Sequence, residues 1–236
     1  MDIDTHLVPF LSRSHGLVLH VALALPPLAA AVRKGGALHR RSGRAYMIVL
    51  FLQLICAAGI GLAKPEDFWY AALAFLAFHT AASGYRSLYL KRLHQGQRPS
   101  YVDLVLHAGG AAFHGGLLIW GISHFALGEK TFMARLFLLV GLVGTLNGAF
   151  NFLQFHKSQH DKREWLFGHI AGMIGSYIVV LCTWSALHLE MLKPLWLQWG
   201  WPALLGLPLI VLLVRWYKQR FLKGVRIRDI ADVRIR

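Results

Sequence analysis

Histidine is the residue that could do chemistry in this chain. Of thirteen histidines, His20, His79, His107, His114 and His169 fall inside long apolar runs. Ionisable side chains in such runs are rare and face a bundle interior, where a neutral imidazole can bind a metal or move a proton. Carboxylates are missing from the middle of every run, with Asp103 and Glu190 at the ends. That argues against a carboxylate-coupled pump and against a four-helix di-iron site. The last run, residues 195–214, holds no lysine for a Schiff base, which argues against a retinal protein.

The elements that position these histidines follow from length and hydropathy. The chain has 236 residues, 56 % of them hydrophobic and 15 % charged, more apolar than a soluble domain of this size buries. Seven runs approach the roughly 20 residues needed to cross a bilayer core: 15–32, 46–63, 68–85, 104–127, 132–155, 166–189 and 195–214. The expected fold is an all-α polytopic bundle of about seven transmembrane helices, a single integral membrane domain. Of the 25 Lys and Arg residues, 20 lie in 33–44, 86–103, 156–164 and the basic tail 215–236. Cytoplasmic loops hold such an excess, so the expected orientation is N-terminus out and C-terminus in. Trp69, Trp120 and Trp196 mark the outer boundary, and Tyr46, Trp165 and Trp216 the inner one. The formal charge of +14 punctuates apolar runs rather than forming a basic face, so the partner is the lipid bilayer and not nucleic acid. The acidic start, Asp2 and Asp4, predicts no cleaved signal peptide. Cys56 and Cys182 form no CxxC and read as core residues. Gly144 with Gly148, and Gly168 with Gly172, have the small-xxx-small spacing of close helix packing.

Rise along each helix places the histidines in depth. His79 and His114 lie near the midplane, His20 one or two turns above it, and His107 and His169 at matching depth near the cytoplasmic face. Two imidazoles on different helices at one level are the axial ligands a b-type haem requires. His79 with His114 is the preferred pair, and His107 with His169 the second. Gly109, Gly110, Gly115, Gly116 and Ala82 would make room for a flat macrocycle. His20, His79 and His114 could instead surround one metal ion. His156 and His160 form an HxxxH in a loop, without the HxxHH boxes of membrane desaturases.

Residues 33–46 contain KGGALHRRSGRAY, which resembles the HRxxGRxY signature of bacterial membrane proteins of the DUF2306 family, a domain of unknown function. Ser83–Arg86 is similar to that family's SGYR helix end, and Trp165–Trp184 to its WxxHxxxMxxxYI segment, matching His169, Met173, Tyr177 and Ile178. The resemblance implies a multi-pass inner-membrane protein with its motifs at the cytoplasmic end, where His39, Arg44 and Arg86 would join His107 and His169 in a polar cluster. A looser similarity to b-type cytochromes and ferric-reductase transmembrane domains rests on the histidine-bearing helices alone, without their pairs thirteen or fourteen residues apart.

The leading expectation is membrane electron transfer through haem b, with electrons from a quinone or a redox partner subunit. The alternatives are a transporter or lipid- and anion-binding protein without cofactor, and a metal-dependent membrane enzyme.

Overall fold

The computed structural model describes residues 3–129 and 131–225, and among these it is all helical. Seven α-helices follow one another: α1 (Ile3–Ala31), α2 (Ala37–Ala63), α3 (Phe68–Ser87), α4 (Tyr101–Ala126), α5 (Phe132–Gln154), α6 (Glu164–His188) and α7 (Leu195–Leu222). All but α3 are long and apolar enough to cross a membrane. Their outer faces carry large apolar side chains such as Ile48, Phe51, Val105, Ile119, Phe150 and Leu205, a surface that water would not tolerate and lipid covers. The chain is a multi-pass helical membrane protein.

The exception, α3, is the centre of the bundle. It packs against α2, α4, α5 and α6 and buries Ala71, Ala72, Leu73, Ala74, Leu76, Ala77, His79 and Ala81 through Gly84. Protein surrounds it where lipid surrounds its neighbours, so alanine, serine and glycine suffice. Its 20 residues rise about 30 Å, which matches the hydrocarbon thickness.

Several boundaries differ from those expected. Helix α1 begins at Ile3 rather than residue 15, and α2 at Ala37 rather than 46. The whole of the motif HRRSGRAY therefore lies in the opening turns of α2 and not in a loop. Helix α7 runs on to Leu222, into the expected tail, of which 226–236 lies outside the described residues. In each case a helix continues past the hydrocarbon, because its backbone bonds are internal and do not depend on lipid. Hydropathy sees only the apolar middle.

Glycine sets how closely the helices approach. A Cβ on Gly141 would lie 2.4 Å from Leu118 N, and one on Gly148 would lie 2.8 Å from Ala111 N, so α4 and α5 touch backbone to backbone. Gly84 and Gly172 do the same for α3 and α6, with a Cβ on Gly172 only 2.5 Å from the Gly84 Cα. Helix α1 contains Pro26 and Pro27, and Pro27 leaves the carbonyl four residues earlier without its N–H. That carbonyl, Leu23 O, accepts from Tyr177 Oη at 3.2 Å. The motif tyrosine thereby ties α6 to α1.

Candidate functional site

One site lies in the core. The buried face of α4 reads Asp103, His107, Gly110, His114, Leu117 and Gly121, a single stripe at helical spacing. His79 of α3 inserts opposite it. Its ring centroid is 5.5 Å from that of His114 and 6.0 Å from that of His107. Phe75 closes the arrangement, 5.2 Å from His114 and 4.3 Å from Phe113. His79 and His114 are 0 % exposed and His107 is 2 % exposed, so bulk water does not reach them.

Their nitrogens are the unusual feature. His114 Nδ1 bonds to Gly110 O at 2.7 Å, and since a carbonyl only accepts, Nδ1 carries the proton. His114 Nε2, His107 Nδ1 and both nitrogens of His79 are buried without a partner. Each such group costs about 1–3 kcal/mol, so three clustered rings call for an explanation other than packing.

The space around these rings is full. A Cβ on Gly110 would fall 2.3 Å from His79 Nε2, and one on Gly144 would fall 2.1 Å from the His114 ring. Gly110 therefore makes room for an imidazole, not for a macrocycle. Gly109 and Gly116 have nothing near their absent Cβ atoms and face outward, and Gly115 has only Thr145 Oγ1, at 3.8 Å. A macrocycle ligated between His79 and His114 would have to displace the α4 backbone, so this pair as packed does not fit one.

The second site lies at the end of the bundle where the basic segments gather. His169 of α6 bonds through Nδ1 to Gly84 O at 3.1 Å, a contact made possible by the Gly84–Gly172 crossing. His39, in the first turn of α2, bonds through Nδ1 to Ala29 O at 3.0 Å and so helps cap α1. The two rings meet edge to face, with centroids 6.3 Å apart and planes at 73°. Both Nδ1 atoms carry protons by the same carbonyl argument, which leaves each Nε2 as a lone-pair donor. The backbones of α2 and α6 do not come into contact. The gap is bridged by this imidazole pair and, deeper, by Tyr46 Oη and Ser176 Oγ at 3.2 Å.

The other expected groupings differ. His20 is exposed on α1, stacked edge-on against His188 at 5.2 Å with Nδ1 on Gly16 O, so it does not join His79 and His114. Among the described residues no three His, Cys, Asp or Glu side chains converge as a metal ion would need. His107 and His169, expected at one depth, do not share a neighbour, since His107 meets His79 and Phe155 while His169 meets His39. Arg86 is not available to an anion. Its guanidinium forks onto Asp103, Nε to Oδ1 at 2.7 Å and Nη2 to Oδ2 at 3.0 Å, and lies 4.7 Å over Tyr89. Asp103 also accepts from Ser100 N and Oγ at 2.8 and 2.6 Å. Arg44 remains exposed on α2. His160 bonds Glu164 at 2.8 Å in the loop before α6 and forms no HxxxH helix face.

The resemblance put His39 and His169 in one polar cluster without pairing them, and the Arg86–Asp103 pair was not foreseen. Asp103 had a signal in Ser100-x-x-Asp103, a capping box that places a carboxylate at the third helical position. His39 had one in the motif itself.

No family model, curated protein or solved structure matches the chain.

Proposed function

We propose that this membrane protein transfers electrons through one b-type haem held by His39 and His169, at the cytoplasmic end of an inner-membrane bundle. The observation that carries this reading is the pair itself: two imidazoles on different helices, each with Nδ1 fixed on a backbone carbonyl and Nε2 free. A histidine that ligates a metal through one nitrogen donates its other ring N–H to a carbonyl or carboxylate in this way. The two ring centroids lie 6.3 Å apart on different helices. Gly84 and Gly172 let α6 approach α3 closely enough for His169 to reach Gly84 O, and the backbones of α2 and α6 stay apart at this pair.

When bound, haem supplies one-electron redox chemistry. The chain's own part is to hold the rings in one tautomer and to neutralise carboxylates at the rim. Arg41 and Arg44, exposed on the first turns of α2, are one helical turn apart and suit anionic side groups. A quinone or a partner subunit would supply the electrons. The resemblance to the DUF2306 family, with His39 and His169 in its matching motifs, points to the same end of the bundle.

Purified protein in detergent should show a Soret band and about one haem per chain, and His39→Ala and His169→Ala should each abolish both. Absence of a Soret band and of stoichiometric iron overturns the reading.

A further inference from the structure

We infer that the outward face of α7 holds one anionic phospholipid, its phosphate between Arg220 and Lys223 and its acyl chains along the leucines that precede them. The backbone of α7 approaches that of α6 alone, so most of its surface is left to lipid. On that surface Leu209, Leu212, Trp216, Arg220 and Lys223 recur at helical spacing and share one stripe. Leu209 and Leu212 are 48 % and 61 % exposed and Trp216 is 43 % exposed. From Leu209 to Lys223 the helix rises about 21 Å, half of the roughly 40–45 Å of a bilayer with its headgroups. The order along the stripe is that of one leaflet: apolar chain, aromatic ring at the interface, then positive charge.

The basic end is braced by its own packing. Phe221 is buried against Phe167 of α6, with ring centroids 6.3 Å apart. Each helix lends a cation to the other's ring: Arg163, at the head of α6, lies 4.3 Å over Phe221, and Lys218 of α7 lies 5.2 Å over Phe167. Those two charges belong to the seam. Arg220 and Lys223 instead line a cleft with Trp216 and Gln219. The Arg220 guanidinium lies 4.3 Å over the Trp216 ring, which fixes its plane and leaves its N–H donors for an acceptor. Among the described residues no carboxylate pairs with either side chain, since Glu164 is taken by Lys157 and His160, and Asp161 accepts from Arg163 N. Two cations without an anion, just past the apolar part of the helix, suit a phosphate. Their charge also outweighs the half-charge of the α7 C-terminus, which by itself would repel one. Free phosphate would meet the same donors, and so would an acidic protein. Neither would use the leucines and tryptophan that continue the stripe into the hydrocarbon, and a phospholipid uses both parts.

The test uses the full chain in detergent, titrated with phosphatidylglycerol or with zwitterionic phosphatidylcholine and read by native mass spectrometry as lipid retained per chain. About one phosphatidylglycerol should be retained where phosphatidylcholine is not. A basic residue near an anionic lipid surface contributes about fivefold in affinity. Arg220→Gln with Lys223→Gln should therefore weaken retention roughly tenfold or more. Lys223→Gln alone, the variant to use if the pair does not fold, should weaken it about fivefold. Arg92→Gln with Arg98→Gln, both exposed in the connection before α4, removes the same charge and should bind as the native chain does. Equal loss in the two double variants, or equal retention of the two lipids, overturns the site. Displacement of the lipid by millimolar inorganic phosphate reassigns the site to a soluble anion and overturns the proposal as well.

Discussion

The two histidine sites use the same residue in opposite ways. In the core, His79, His107 and His114 sit against glycine and phenylalanine with most nitrogens unpartnered. At the basic end, His39 and His169 are each tied by Nδ1 to a neighbouring helix's carbonyl. The first leaves both nitrogens of His79 and Nδ1 of His107 without a partner, with His114 alone held at Nδ1; the second holds the proton of both rings on Nδ1 and the lone pair on Nε2. Burial alone does not separate them. The hydrogen-bond partner of Nδ1 does, because it decides whether the ring can change tautomer.

The comparison can be broken at its shared hinge, the junction of α3 and α4. Asp103→Ala leaves Arg86 without its forked partner and removes the Ser100 cap. The expected loss is about 3 kcal/mol, the lower end for a broken buried pair because Arg86 is a quarter exposed. Thermal unfolding in detergent measures it, and Arg86→Ala combined with Asp103→Ala should recover part.

Glycine substitutions separate the sites. Gly172→Ala drives a methyl into the Gly84 backbone, which cannot yield as a side chain can, and should cost about 2–3 kcal/mol while parting His169 from Gly84 O. Haem content should fall with it. The smallest effect is expected at Gly109, where nothing lies near a Cβ. Gly109→Ala should stabilise by about 0.5–1 kcal/mol through helix propensity. A destabilising result there would mean that the outward face of α4 is occupied.

Much of the architecture was legible because lipid imposes it. An apolar run of bilayer length has no alternative to a helix, and the runs at 104–127, 132–155 and 166–189 match α4, α5 and α6 closely. Helix α3 was legible as a run but not as the centre of the bundle, since hydropathy reports what a helix prefers and not what surrounds it. The early starts of α1 and α2 were hidden by charge. Arg40 and Arg44 look like loop residues, yet a helix emerging from the membrane carries them at no backbone cost.

The histidine sites divide along the same line. Sequence by itself determined an expected level for each ring, because rise per residue is constant along a helix, and His79 and His114 are in ring contact. It could not determine which rings meet. That depends on the rotation of each helix and on which neighbour it crosses, and small-residue pairs such as Gly84 with Gly172 set both only when two helices are docked. Hence His107 and His169, expected at one depth, stay apart, while His39 is brought to His169 from a segment that reads as a basic loop. Only tertiary structure decided the partner of each Nδ1, and with it which imidazoles are fixed and which are free.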